Sequence, residues 1–298
     1  MKLLNYNKDY RALLLVLLST FLLISPLFRM FASIYWVPLK IIFVIICHAI
    51  NHSHQHLSVF LNDTLNKLYS VLLSVNIGQS GSATIAMHQL NHHGHNNSDA
   101  DLANSRLVNY RWNFLNLLLY PFVIIINYRK TKNILLKDLV EKRHGIKQTI
   151  AIELWAIRLF AITYCLIDWK AFILFALIPY ICGVWAILAI NLVQHQLVYE
   201  SNDYEKATNF TGIFLNYFLF NNGYHSAHHQ YPNLHWSILP QRHNEIAMNI
   251  PPLFVKRSLL NFLVFHFFLN FSARFKITQN NTNQLAPSFE VIHRLPKQ

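Results

Sequence analysis

The sequence predicts an all-α integral membrane fold: about four transmembrane helices in two hairpins, interfacial helices beside them, and a cytoplasmic cap that carries three histidine boxes. Three observations point there. The 298 residues are 53% hydrophobic and 13% charged, with a mean hydropathy of +0.26, whereas charged residues make up about a quarter of an ordinary soluble domain. Two pairs of apolar runs, 11–28 with 33–50 and 150–167 with 171–193, each approach the ~20 residues that a helix needs to cross ~30 Å of hydrocarbon. The 17 histidines cluster beside those runs, at 52–56, 88–93 and 225–229, with His195 ending the fourth run.

The first hairpin follows Lys2, Lys8 and Arg11 and so resembles a secretory signal in charge. No small-residue cleavage site follows, and a second apolar run begins almost at once, so a retained hairpin is expected. Between the hairpins Arg129, Lys130, Lys132, Lys137, Lys142, Arg143 and Lys147 crowd together, and Lys256, Arg257, Arg274 and Lys276 follow the second hairpin. The short turns hold little beyond Arg29 and Lys170. The positive-inside rule then puts both termini and the long central loop in the cytoplasm. Topology thus accounts for the net charge of +12; no nucleic-acid partner is expected, because neither a basic helix nor an aromatic RNA-binding signature accompanies the charge.

The remaining elements follow in order. Residues 57–77 mix apolar positions with Asn62, Asp63, Asn66 and Lys67, which suits an amphipathic interfacial helix. Residues 113–127 are apolar between Arg111 and Arg129, too short to span and read as an interfacial or re-entrant helix; residues 253–271 resemble them. Residues 1–277 form a single membrane domain, and the Asn-, Gln- and Pro-rich tail 278–298, from Thr278, has no core-forming pattern and is expected to be flexible. Cys47, Cys165 and Cys182 fall in apolar runs without a C-x-x-C pair and read as inert packing residues. With seven glycines and no G-x-G-x-x-G, no nucleotide site is expected.

His48, His52 and His56 recur every four residues, so a helix leaving the second run carries them on one face, where two neighbours can hold one metal. His88, His92 and His93 form H-x-x-x-H-H; His225, His228 and His229 form H-x-x-H-H. On a helix, spacings of three or four keep two imidazoles together while adjacent ones diverge by about a quarter turn, so one box can serve two ions. Asn191 and His195, four apart, end the fourth run. Neutral imidazole is a common ligand for iron, zinc and copper, and with both termini inside, all of these residues fall on one side of the membrane.

These boxes, their order and the paired hairpins resemble the integral-membrane fatty acid desaturase and hydroxylase superfamily over roughly residues 47–240. The stretch Asn221-Asn222-Gly-Tyr-His-Ser-Ala-His-His-Gln-Tyr-Pro-Asn-Leu-His-Trp-Ser237 is similar to the third box of bacterial fatty acid desaturases, and Asn191-Leu-Val-Gln-His195 matches an N-x-x-x-H element of that family. The resemblance implies two iron ions held by His52, His56, His88, His92, His93, His195, His225, His228 and His229, with Asn191 holding a metal-bound water and no separate side-chain acid or base. His48–His52 fits the first box as well as His52–His56 does; the latter is preferred because Leu-Ser-Val-Phe after His56 is similar to the family's sequence there. His54 and His95 stand as substitutes, and His235 and Trp236 resemble family residues just past the third box.

The activity so implied is O2-dependent desaturation of a fatty acyl chain. The alternative is a hydroxylase or monooxygenase of the same superfamily acting on an alkane, a carotenoid or another apolar substrate. No H-P-G-G motif of a fused cytochrome b5 is present, so electrons are expected from a separate donor of the ferredoxin, rubredoxin or cytochrome b5 type. A rival of another class, a metal-binding membrane transporter or sensor, requires ionisable residues along its spans, and these are nearly bare, with Lys40 in the second and Glu153 and Arg158 near the start of the third. Glu141 with His144 and Glu290 with His293 fit the E-x-x-H element of soluble carboxylate di-iron bundles, but one pair lies in the basic loop and the other in the tail.

Overall fold

In the computed structural model, which describes residues 2–198 and 204–269, the described residues are mostly helical, with two short strands. Three helical stretches are long and apolar enough to cross a membrane: Asn7–Phe28, Ile34–His56 and Ile146–His195. The first two contain α1 (Tyr10–Ile24) and α2 (Val37–His56), joined through a tight turn in which Arg29 adopts φ 58°. Lys40 lies wholly buried in this hairpin and donates from Nζ to the Ser19 carbonyl (3.0 Å) and hydroxyl (2.9 Å), so a cation within a span is satisfied locally.

The third stretch holds both expected spans of the second hairpin. α6 (Ile146–Phe172) is interrupted at Asp168, whose backbone is extended at φ −154° and ψ 93°. Asp168 Oδ1 accepts from the N–H groups of Lys170 and Ala171, both at 3.0 Å, and so caps the helix that runs on through a π-helical turn, Ile173–Leu177, into α7 (Ile178–His195). The chain reverses at this cap, because Glu153 of α6 and Tyr180 of α7 both reach the C-terminal end of α3 (Asp63–Ile77). Four apolar segments in two hairpins therefore stand behind the three continuous stretches.

α3 starts at Asp63 rather than at Leu57. Residues before it are drawn into pairing with the N-terminus, where Asn5 N–H donates to Val59 O and Leu61 N–H to Leu3 O, and the Asn62 side chain caps the helix by accepting from Leu65 N–H. The helix ends at Gly78, which has φ 72° and lies against the Tyr180 ring, 2.4 Å from where a Cβ would stand. It packs among α1, α2 and α6. A π-helical turn, Ala86–His92, runs into the short α4 (His93–His95).

α5 (Asn113–Lys142) is 30 residues long, twice the length expected from its apolar half. The basic half continues the helix because it contains no breaker and is laced by the i,i+4 pairs Asp138–Lys142 (2.9 Å) and Lys137–Glu141 (3.9 Å). Beyond α7 the cap is built from β1 (Asn209–Phe210), α8 (Ile213–Phe218), α9 (His225–Gln230), α10 (Leu239–Ile246), β2 (Val255–Lys256) and α11 (Leu259–Phe262), the last continuing as a π-helical turn to Phe268. β1 pairs in parallel with β2, Asn209 opposite Val255. The region expected as a helix over 253–271 is thus helical mainly over its second half, and the tail expected from Thr278, with Glu290 and His293, lies outside the described residues.

Two clusters dominate the core. One joins α5, α7 and the cap through Tyr120, Leu192, Phe210 and Phe267; the other joins α1, α2 and α3 through Val16, Cys47, Leu73 and Ile77. Only Cys47 among the three cysteines behaves as a buried packing residue; Cys182 is half-buried and Cys165 is exposed on α6, because that face of α6 has no protein neighbour.

Candidate metal centre

Four separate parts of the chain deliver imidazoles to one place. α2 supplies His52 and His56 from its last turn, the π-helical turn supplies His88 and His92 with His93 directly after, the end of α7 supplies His195, and α9 supplies His225, His228 and His229. The nine fall into two groups, His52 with His56, His88, His93 and His228, and His92 with His195, His225 and His229; within each group the ligand nitrogens all lie within 4.8 Å of one another. The first group is half-buried apart from His228, and the second is wholly buried. They share a wall, where the His93 and His229 rings stack with centroids 4.5 Å apart.

The division differs from what α-helical spacing predicts. His88 and His92, four apart, go to different groups, while His88 and His93, five apart, go to the same one. The cause is the π-helical turn, in which His93 N–H donates to His88 O, an i→i+5 bond that brings the fifth residue round to the same face. In α9, His225 and His229 stay together and His228 turns to the other group, so the adjacent pairs His92–His93 and His228–His229 each serve both.

His48, His54 and His95 belong to neither group. His54 is held away by Ser70 Oγ on its Nε2 (3.1 Å) and Val59 N–H on its Nδ1 (3.3 Å), and His48 lies a turn below, against Gly183. Asn191 lines the adjoining cavity, and its Nδ2 donates to Ala103 O (3.0 Å) and Tyr120 Oη (2.7 Å).

The nitrogens are suited to a cation. His92 Nδ1 lies 2.7 Å from Asp101 Oδ2, His229 Nδ1 is 2.7 Å from Asn96 Oδ1, and His225 Nδ1 is 3.2 Å from Asn222 Oδ1. These acceptors place the ring proton on Nδ1 and leave a lone pair on Nε2. Burial first, and the neighbouring imidazoles second, hold His88, His93, His225, His228 and His229 well below the ordinary histidine range, so these rings are neutral. Yet their Nε2 atoms converge: His225 is 3.2 Å from both His195 and His229, His88 is 3.1 Å from His56 and 3.0 Å from His93, and His93 is 3.1 Å from His228. His92 Nε2 is buried with no hydrogen-bond partner among the described residues. Two nitrogens each ~2.1 Å from one ion at a right angle stand ~3 Å apart, so the spacing fits shared ions where lone pairs alone would repel.

Spacing in the sequence did not reveal Asp101, Asn96 or Asn222. Asp101 is one of only 13 acidic residues and closely follows the second box, which is the only signal it leaves. It is buried, and besides His92 it accepts from Asn97 N–H on Oδ2 and Ala103 N–H on Oδ1, both at 2.8 Å. His235 and Trp236 lie outside both groups and are tied to the N-terminus instead: Asp9 Oδ1 accepts from His235 Nε2 (3.0 Å) and Trp236 Nε1 (2.8 Å).

A cavity of about 410 Å³ adjoins both groups, touching His52 and His88 of the first and His92 and His225 of the second. Away from the imidazoles its walls are mostly apolar, including Ile125, Leu154, Val184 and Leu188. That size is within the ~300–1,000 Å³ usual for small-molecule sites. His144, in the turn after α5, takes no part. The sequence matches the family model described as fatty acid desaturase over residues 32–259, which include all nine imidazoles. No curated protein and no solved structure gives a significant match.

Proposed function

The chain belongs to the fatty acid desaturase family, and from that premise we propose that it is an O2-dependent membrane oxidoreductase that introduces a C=C bond into a lipid acyl chain. The observation that carries this reading is the apolar cavity that ends on both imidazole groups. A transported ion needs a polar path, and Lys40, Glu153 and Arg158 are each locally engaged, Lys40 by Ser19, Glu153 by Ser80 and Ser82, and Arg158 by the Trp155 ring.

His52, His56, His88, His93 and His228 would hold one iron and His92, His195, His225 and His229 the other, with Asn191 accepting from a water on the latter. Two bound irons supply the O2 chemistry needed to take hydrogen from an unactivated C–H bond, which no side chain can do. The chain's own residues position the substrate and exclude water. Ile125, Leu154, Val184 and Leu188 offer an acyl chain only apolar contacts, so it is held by burial rather than by polar bonds. Tyr120 and Asn191 brace the α5 to α7 contact beside the cavity. In the balanced reaction the acyl chain gives up two hydrogens, the donor gives two electrons, and with two protons O2 leaves as two waters.

The donor would be a separate ferredoxin, rubredoxin or cytochrome b5 type protein. The half-buried first group suits electron entry, and the exposed Arg143, bonded to Gln89 Oε1 beside His88, gives an acidic donor a positive contact there. Termini and cap would face the cytoplasm, as the placement of basic residues suggests. The test is lipid mass spectrometry of a host expressing the protein or its His225→Ala variant. A product two hydrogens lighter, absent in the variant, is expected; a product one oxygen heavier would replace desaturation by hydroxylation. An unchanged profile with iron-replete protein and an active donor would refute both.

A further inference from the structure

We infer that the cavity opens sideways into the bilayer between α6 and α7, so that the acyl chain it takes belongs to a phosphate-bearing lipid resident in the membrane. The chemistry done on that chain rests on the desaturase reading; the binding does not. α6 and α7 meet at their turn but scarcely touch along their length, because the end of α3 lies against both. Ser80 and Ser82 hydroxyls donate to Glu153 of α6 at 2.5 and 2.6 Å, and Tyr180 Oη of α7 donates to Val75 O at 2.5 Å. The hairpin is therefore splayed into a V.

α5 crosses the mouth of the V. It lies on α7 where Trp185 Nε1 donates to Leu118 O (3.2 Å), and on α6 through Leu139 with Ile146 and Ile150. Between these two contacts the cavity is lined by Ile125, Leu154 and Val184, one from each helix, and all three are only half-buried, which is where the opening is placed. Outside the gap the surface is apolar and open: Phe122 is 53% exposed, Trp155 67% and Ile181 61%. Trp155 and Ile181 belong to a membrane-spanning stretch, so the surface around the gap meets lipid. An apolar opening of this kind is stable where hydrocarbon covers it and costly where water does.

Charge gives the headgroup. Tyr128 lines the cavity, and the next two residues of α5, Arg129 and Lys130, are exposed. Cations beside the opening, on a helix with an exposed apolar stripe, suit the phosphates of an anionic membrane surface. A soluble thioester carries phosphates too, but its chain would have to enter from the cap, past a polar lining of imidazoles and amides that includes Gln55, Gln89 and His88.

The test is photolabelling of the full chain in vesicles of phosphatidylcholine and phosphatidylglycerol, the latter carrying a diazirine in mid-chain, with adducts mapped by mass spectrometry. Adducts on Ile125, Leu154 and Val184 are expected beside those on Phe122 and Trp155. In Leu154→Trp the inner adducts at Ile125 and Val184 are lost while Phe122 stays labelled, which also shows that the variant is inserted. Adducts confined to the outer residues in the unmodified chain would overturn the proposal, as would inner labelling by the same chain presented as a coenzyme A thioester but not as the phospholipid. None of these readings depends on turnover, so a protein that binds lipid in the cavity yet makes no alkene would refute the desaturase reading alone.

Discussion

Asp101→Asn isolates the second imidazole group. The carboxylate is buried, with His92 Nδ1 and Asn97 N–H on Oδ2 and Ala103 N–H on Oδ1. An amide there must turn its NH2 toward donors on one side or the other, losing at least one charge-assisted bond worth about 1.5–3 kcal/mol. Partners behind a ligating histidine typically carry about 10–100-fold in metal affinity, which at about 1.4 kcal/mol per tenfold is the same quantity reached from the ligand side. In purified protein titrated with a chelator and read by elemental analysis, one of two irons should leave at a chelator concentration about 10–100-fold lower than in the unmodified protein, while the other is unchanged. Asp99→Asn is the control, because Asp99 is an exposed partner of Arg106 and such pairs contribute about 0–1 kcal/mol. Iron held as tightly in Asp101→Asn as before, or lost equally from both sites, would refute the reasoning. The acid dependence has a definite sign. Burial alone would raise the Asp101 carboxyl, but the hydrogen bonds from His92 and from the N–H groups of Ala103 and Asn97 outweigh it and hold the carboxyl below its usual range. Its stabilisation is therefore full above the ordinary value of about 3.9 and is lost as pH falls through the native value, so the stability difference between the two proteins should shrink in acid.

The other predictions are local. His52→Ala should lower bound iron while His48→Ala leaves it unchanged, since only His52 lies in a group; equal loss in both would return His48 to the first box. Asp9→Ala strands the donors of His235 and Trp236 and should cost at least about 1–3 kcal/mol, read as thermal unfolding in detergent, with an unshifted transition counting against the clamp. Gly183→Ala sets a Cβ 2.5 Å from Val44 Cγ1 and 3.1 Å from His48 Cδ2, and overpacking of this kind costs about 1–3 kcal/mol; unchanged stability would show that α2 and α7 are not in such close contact.

Much of the fold was legible because a bilayer imposes length and hydropathy together. Residues 150–167 and 171–193 read as separate spans, and the structure joins them into one 50-residue helical stretch broken only at Asp168; the turn was visible as the polar Asp168 and Lys170 between apolar runs, its capping geometry was not. α5 was underestimated because hydropathy registers only its apolar half, whereas the helix is carried onward by propensity and by Asp138–Lys142 pairing, signals that a search for membrane-length runs passes over. The exposure of Cys165 was missed for the opposite reason: in a membrane protein an apolar residue need not be a packed one.

The site was legible in its members and not in its partition. Three boxes and His195 name the nine imidazoles that the structure brings together, since histidines beside spans stand out in composition. Which of them share a group depends on backbone period, and a spacing of four in the sequence says nothing of whether the helix is α or π. At about 100° per residue in an α-helix, His88 and His92 would stand 40° apart and His88 and His93 140° apart; widening the turn reverses the preference and sends His92 toward Asp101, a buried anion, on the far side. The π-helical turn thus does chemical sorting. It delivers adjacent histidines to different groups, gives the buried group a carboxylate-backed ligand, and leaves His93 between the two, where its ring stacks on His229 of the other group. Three extra hydrogen-bond acceptors, Asp101, Asn96 and Asn222, then fix which nitrogen His92, His229 and His225 present, and these come from loops whose placement only the folded chain determines.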